Sequence, residues 1–353
     1  MASVLIIAGP ADFHANALTW ALEASGHQCV HWHPAASEAF GVSIASGADD
    51  SVSCFGPPNA PFDATWMRRP QIPPPPAGLD PRDLRFLGRE LDFFTQGWWA
   101  STSGFLANPL AASRQANIKT CQLIAARRAG LSVPATLSSN DLGAVRAFVA
   151  AAPGRVIYKT HSPAAWSTEG KQQVVFTTFV DMQALEKVDQ HHFNPGIFQH
   201  FVPKAYELRI CFFGKEIICA KIENADELDW RITKKMALSP HVLPDLIVER
   251  LRAFMRDMNL VMGMIDVIVT PEGEHVFLEV NEQGQFLWIE LQNPEIPVLH
   301  RCAHFLATAG QNGHVRSGAP TRLEDYLASD AYGRYVARYK QQSSANPWIT
   351  AES

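Results

Sequence analysis

The sequence predicts an α/β protein built from more than one unit, and three features support that class. The first thirty residues alternate an apolar run, an amphipathic stretch and a second apolar run, a strand-helix-strand opening. Further on, short apolar runs flank tight turn signals at Gly214-Lys215 and Pro271-Glu272-Gly273, as in antiparallel hairpins. Helical periodicity returns between these groups, so strands and helices are interleaved along the chain.

A chain of 353 residues has room for two or three compact units. At 47% hydrophobic and 18% charged, its composition is that of a globular protein and not a disordered one. The formal net charge of -5 provides no polyanion-binding surface, so nucleic acid is not an expected partner. The cysteines, Cys29, Cys54, Cys121, Cys211, Cys219 and Cys302, form no CxxC pair and fit neither a zinc knuckle nor a small disulfide scaffold. A reduced cytoplasm is the expected compartment. The opening MASVLIIAGP lacks a basic leader and is too short to span a membrane. It is expected to be a buried strand, and no membrane partner is expected.

In order, residues 3–8 predict a strand, 11–25 a helix with Leu18 and Leu22 on one face and Gly26 as its stop, and 28–32 a second strand. No GxGxxG is present, so a dinucleotide fingerprint is absent. His14, His31 and His33 are expected to be packing or surface histidines before they are metal ligands. FDATWMRRP ends in Arg68 and Arg69, which are either anion contacts or a solvated or salt-bridged pair. Four consecutive prolines within 71–78 predict a surface loop. Helical spacing over 84–99 places Leu84, Leu87, Leu91 and Phe94 together.

A new unit is expected near Asn108-Pro109. It begins with a helix over 113–129 that Gly130 stops, then a short strand and a capped helix ending near 152. RVIYK predicts a strand ending at Lys159, and the Ser/Thr-containing 162–178 a flexible lid between two strands. Residues 208–213 and 216–221 predict a hairpin. On its first strand Glu207 and Arg209 share a face because they are two residues apart. A helix over 246–258 precedes the last hairpin, helices over 296–310 and 321–339 follow it, and the end is expected to fray. The boundaries expected are 1–107, 108–202, 203–330 and a tail at 331–353.

The last hairpin, within MGMIDVIVTPEGEHVFLEVNEQGQFLWIE, is the candidate reacting centre. With a loop at 271–274, Thr270 faces His275 and Asp266 faces Glu279, and Asn281 shares the face of Glu279. Directly opposed like charges destabilise a sheet, so a cation is expected between them. A hard divalent ion held by carboxylate and amide oxygens is the simplest choice. A solvated edge hairpin is the alternative that the spacing leaves open, and a slip of one residue would turn the set to the other face.

DVIV…VFLEVNEQGQFLWIE resembles the metal-binding end of ATP-grasp ligases, and the GQFLWIE continuation is similar to those that macrocyclise ribosomally made peptides, the microviridin or graspetide type. The stretch from Asn108 to Asp141 resembles the entry to the same fold, QHFV its hinge, DWR a further piece of it, and WMRRP its N-terminal pre-ATP-grasp α/β domain. The resemblance implies Asp266, Glu279 and Asn281 as ligands of Mg2+ ions held by ATP. It implies Lys119 and Lys159 at the phosphates, Gln199, His200 and Val202 as the adenine hinge, Glu207 at the ribose, and Arg209 and Arg231 at the transferring group. Taken alone, Lys119 is a solvated helix lysine and Arg209 half of a cross-strand ion pair.

The implied activity is ATP-dependent ligation. Asp or Glu side chains of a precursor peptide become acyl phosphates and are closed into ester or amide crosslinks. The partner is then a ribosomally made peptide with leader and core, the leader docking near residues 208–221 on an exposed strand edge. A homodimer is the other assembly in view. A RimK-like or glutathione-synthetase-like amino-acid ligase and a non-catalytic nucleotide-dependent peptide binder are the alternatives.

Overall fold

The computed structural model describes residues 1–33, 43–46, 52–55, 62–68, 78–102, 104–162, 165–168, 171–174, 177–190, 193–223, 236–310 and 320–345. Its first elements are β1 (Ser3–Ile7), α1 (Phe13–Ala24), β2 (Gln28–Trp32), β3 (Ser43–Ser46), β4 (Val52–Phe55), β5 (Ala64–Met67), α2 (Pro81–Ala100) and β6 (Phe105–Ala107). The expected strand-helix-strand opening is present, and β2-β1-β5-β6 form a parallel sheet. Asp12 starts α1 by accepting the Ala15 N–H at 2.8 Å, and Gly26 closes it at φ 79°, a conformation open to glycine at no steric cost.

The next group is α3 (Leu110–Ala116), α4 (Lys119–Arg128), β7 (Thr136–Ser139), α5 (Leu142–Ala150), β8 (Val156–Lys159), β9 (Ala165–Thr168), β10 (Lys171–Val174), β11 (Thr178–Val180), α6 (Met182–Glu186) and β12 (Gly196–His200). The single helix expected over 113–129 is broken in two. Asn117 donates from Nδ2 to the Ser113 carbonyl at 2.9 Å, and Ile118 turns extended at φ -99° and ψ 100°. A side-chain amide that bonds back to the backbone competes with helix continuation, and the stop moves Lys119 into the first turn of α4. Antiparallel β11-β8-β12-β7 form the second sheet. The expected lid segment supplies β9 and β10, which pair only with each other among the described strands.

The last group is β13 (Tyr206–Phe213), β14 (Glu216–Glu223), β15 (Ala237–Pro240), α7 (Asp245–Asp257), β16 (Met262–Val269), β17 (His275–Asn281), α8 (Leu287–Gln292), α9 (Val298–Ala307), α10 (Leu323–Leu327) and α11 (Asp330–Ala345). The strands form an antiparallel sheet in the order β15-β14-β13-β16-β17. The exposed edge expected along 208–221 is mostly absent. β13 is paired on both sides, and β15 covers β14 from Ala220 to Glu223. The helix expected over 321–339 divides at Ser329, whose hydroxyl accepts the Tyr332 N–H at 3.4 Å. Instead of fraying from 341, α11 runs on to Ala345, and it packs on α1 with the Tyr335 and Phe13 rings 5.6 Å apart. Among the described residues no helix is long and apolar enough to cross a membrane.

The two faces of the five-stranded sheet have different partners. Leu208, Ile210, Phe212, Ile265 and Val267 pack under α3, α4 and α7. On the other face Cys211, Phe213, Met262 and Met264 join a core that also holds α1, β1, α8 and α9. Segments at both ends of the sequence therefore share one core. Asn108 ties them together: its Oδ1 accepts the N–H groups of Val261 (2.7 Å) and Met262 (3.0 Å), and its Nδ2 donates to the Met262 (3.0 Å) and Glu282 (3.1 Å) carbonyls. Asn108→Ala would leave these buried backbone groups unpaired. A loss of about 3 kcal/mol is expected, read as a lower urea midpoint than wild type.

Candidate active site

The site depends on a strand irregularity. β16 and β17 pair Met264 with Asn281, Ile265 with Val280 and Asp266 with Glu279, then shift so that Val267 faces Phe277 and Val269 faces His275. The expected pairing of Thr270 with His275 is therefore one residue out. Thr270 closes the turn, its N–H donating to the Glu274 carbonyl at 2.9 Å. Leu278 is the extra residue of a bulge, and it restores the register in which the two carboxylates oppose one another. Bulges of this kind re-aim side chains beside active sites.

Across the sheet Arg209 pairs with Asp266 on β16, and Asp266 with Glu279 on β17, giving one row on one face. Arg209 Nη1 donates to both Asp266 oxygens at 2.8 and 2.7 Å, and Nη2 to the Gln285 carbonyl at 3.0 Å. Burial alone would lower the Arg209 pKa, but the adjacent Asp266 carboxylate outweighs it and holds the guanidinium above its ordinary value. Lys119 lies 3.6 Å from Glu279. Asn281 accepts the Gly284 N–H at its side-chain oxygen, 3.2 Å. Lys119, Arg209, Asp266, Glu279 and Asn281 are thus gathered as expected. Cys211, next along the face, is buried, and burial pushes its thiol up to about 12.

The remaining expected residues that are described lie on the second sheet, on the link to β13 and, for Glu207, on β13 itself. Lys159 ends β8 opposite Ile197. Gln199 is buried and donates to the Thr136 hydroxyl at 2.9 Å. The His200 N–H is committed to the Ala135 carbonyl at 2.9 Å, and its ring lies on Phe148 at 4.7 Å. Val202 lies in the link, which is held at Phe201 N–H to Arg155 and at Ala205 N–H to Val269. Arg155 sits over the Phe179 and Phe201 rings at 4.0 and 4.5 Å, which braces this link. Glu207 forms an ion pair with Lys204. Arg231 lies outside the described residues, as do Arg69, Lys234 and Lys235.

Sequence reasoning missed the groups that hold this row in place. Gln122 extends the outer edge of β17: its Oε1 accepts the Val280 N–H at 2.8 Å and its Nε2 donates to the Val280 carbonyl at 3.0 Å. Glu282 is buried and accepts from the Ser113 hydroxyl at 3.1 Å. Arg68 is wholly buried and paired with Asp12 at 2.9 Å, which settles the open alternatives for that arginine in favour of an ion pair. GQFLWIE is not a strand continuation. It supplies α8, and Glu290 at its end accepts the Leu299 and Leu323 N–H groups, both at 2.8 Å, near the starts of α9 and α10. An acidic residue placed before later helices is the one sequence signal for this, and the helices had to be located first.

Among the described strands, three sheets of four or five strands and two two-stranded pairs, with the acid and guanidinium row on the five-stranded sheet, make the architecture that of the ATP-grasp fold. No protein-family model matches the chain, and none of the curated proteins does. Among solved structures it is similar to the macrocyclase MdnC of Microcystis aeruginosa MRC, bound with precursor peptide MdnA. The identity is 30% over 87% of this chain and 99% of that one, with a TM-score of 0.75. The Chryseobacterium gregarium RiPP-associated ATP-grasp ligase, in complex with ADP and a leader and core peptide, is 23% identical over 87% and 97%, TM-score 0.75. The macrocyclase MdnB of Microcystis aeruginosa MRC is 26% identical over 87% and 99%, TM-score 0.70. The chain belongs to the ATP-grasp ligases of the ribosomal-peptide macrocyclase family, and it is an ATP-dependent ligase.

The buried carboxyls of Glu282 and Glu290 both have pKa values raised by burial, with hydrogen bonds from their neighbours offsetting part of the effect. Each binds its proton more tightly in the folded state. Its contribution to stability is full below the ordinary glutamate range and is lost as pH rises through the raised value. His31 acts in the opposite direction: burial lowers it to about 4, so its contribution is lost as pH falls. Comparing variants separates the two. Glu282→Gln should gain urea stability relative to wild type as pH rises from about 4.5 to about 7.5, and a constant difference would remove Glu282 as a source of pH dependence.

Proposed function

We propose that this ligase activates Asp or Glu side chains of a ribosomally made precursor peptide with ATP and closes them onto hydroxyl or amine groups of the same peptide. The row formed by Arg209, Asp266, Glu279 and Lys119 is the single observation that carries this, because two facing carboxylates flanked by two cations suit a triphosphate and its metal. A carboxylate oxygen of the peptide attacks the γ-phosphorus of ATP, giving an acyl phosphate and ADP. The hydroxyl or amine then attacks the carbonyl carbon, phosphate leaves, and each link removes one water overall.

Asp266, Glu279 and Asn281 would hold Mg2+. They offer hard oxygens, and no group of three His, Cys, Asp or Glu suited to a metal occurs among the described residues. That set suits Mg2+, which is typically bound by one or two carboxylates with phosphate oxygens completing its shell. When bound, the metal supplies charge neutralisation on the transferring phosphoryl group. Lys119 and Lys159 bind phosphate oxygens, and Arg209, with Arg231, holds the charge that develops on the acyl phosphate. With the His200 N–H already donated, an adenine contact at that residue uses its carbonyl, and Val202 supplies the N–H. Glu207 holds the ribose hydroxyls. Residues 1–107, 108–202 and 203–330 act as the three units of the fold. A reducing cytoplasm suits the five described free cysteines.

With a precursor peptide encoded beside this gene, phosphate release should accompany a loss of about 18 Da per link, one water for each acyl phosphate consumed. Mass gain by an added amino acid would favour the RimK-like alternative, and peptide binding without phosphate release would reduce the chain to a binder. Asp266→Asn keeps the size and removes the charge that both the metal and Arg209 use. Turnover should fall about 100-fold or more, while urea stability changes by only about 1–2 kcal/mol. Equal losses in both measurements would remove Asp266 from the chemistry.

A further inference from the structure

Arg68 lies far from the row in sequence, yet it reaches the same loop. Residues 283–287 lead from β17 to α8, and groups from two sides fix their backbone. On one side stand the site residues: Arg209 donates to the Gln285 carbonyl at 3.0 Å, and Asn281 accepts the Gly284 N–H at 3.2 Å. On the other side stands the N-terminal unit. Arg68 Nη1 donates to the Gln283 carbonyl at 2.7 Å and to that of Gly284. His14 stands between the two: its Nε2 lies 3.0 Å from the Phe286 N–H and 3.2 Å from the Leu287 N–H, and its Nδ1 lies 3.1 Å from Arg68 Nη2. Asp12 holds Arg68 by Nε at 2.9 Å, and Asp12 is itself fixed as the cap of α1. Gly284 adopts φ 61°, and a Cβ there would meet Met264 at 2.9 Å, so the loop has little freedom to settle elsewhere.

We propose that Arg68, with Asp12 and His14, is a positioning residue for the phosphoryl-transfer site: it sets the loop 283–285, which in turn sets Arg209 and the Asn281 side chain. The role assigned to Arg209 and Asn281 rests on the function proposed above. A guanidinium is suited to this task, because its planar fork satisfies Asp12 and two carbonyls at once, and it is fully buried here. Displacing a reacting group by about 1 Å costs on the order of 100-fold in rate. Arg68, wholly buried, therefore takes part in the chemistry without touching substrate.

Arg68→Lys keeps the charge beside Asp12 and loses the fork. In the full chain with ATP, Mg2+ and precursor peptide, kcat should fall by about 10- to 100-fold. KM for the peptide and the affinity for ADP should stay within about twofold. Amide hydrogen exchange at Gly284, Phe286 and Leu287 should speed up in the same variant, while the second sheet keeps its protection. His14→Ala should reproduce the faster exchange at Phe286 and Leu287 and a smaller kcat loss, and it serves where Arg68→Lys does not fold. An unchanged kcat in either folded variant, or a loss of kcat with exchange unchanged at all three amides, overturns the proposal. The exchange measurement needs no substrate. Failure of wild type to turn over ATP would count against the ligase assignment and not against the coupling of Arg68 to the loop.

Discussion

Asp266 and Glu279 stand opposite one another on adjacent strands, at the short separation of about 4.5–5.5 Å that cross-strand neighbours share. Two carboxylates so placed repel unless a cation or a shared proton offsets the charge. The structure meets the constraint with Arg209, which takes Asp266 by one nitrogen, and with Lys119, which approaches Glu279 from the start of α4. The position of Lys119 is itself unfavourable, since a helix start already carries partial positive charge. Glu279 offsets that, so the acid pair and the base each make the other tenable.

The segment LEVNE shows how one strand serves site and core at once. Side chains alternate along β17: Glu279 and Asn281 belong to the polar row, Val280 packs beneath α4 and α7, and Glu282 turns inward to Ser113 of α3. The edge of β17 would otherwise offer unpaired backbone groups. Gln122 supplies a side-chain amide in place of a neighbouring strand, and the Phe277 N–H reaches the Ser132 carbonyl at 2.8 Å. Covering an edge in this way blocks pairing with another chain and fixes the register that opposes the acids.

Much of this was legible in the sequence, and the limits have physical causes. Strands such as 28–32 and the hairpin around Gly214 follow from alternation and turn chemistry, which act locally. Asp266 opposite Glu279 was right although the register at the turn was wrong, because a bulge at Leu278 has no signature in a run of apolar residues. The break at Asn117 depended on a side chain choosing the Ser113 carbonyl over water, a balance that spacing does not reveal. Arg68 was ambiguous for a deeper reason. Its partners Asp12, Gln283 and Gly284 are distant in the chain, and only the fold brings them together.

GQFLWIE illustrates how a family resemblance and a physical role can diverge. Its likeness pointed toward the reacting centre, yet Glu290 is buried at the junction of α8, α9 and α10 and accepts hydrogen bonds near the starts of two of them. Phe286, Leu287 and Ile289 enter the core shared with α1 and α9. The backbone of its first residues touches the row, the Gly284 N–H donating to Asn281 and the Gln285 carbonyl accepting from Arg209. The motif is therefore a joint: it turns the chain from the active strand into the helices that close over the N-terminal sheet. Its side chains answer to packing and capping, and its backbone answers to Arg209. Holding that carbonyl still takes anchors on both sides of the loop, Arg209 and Asn281 on one and Arg68 with His14 on the other.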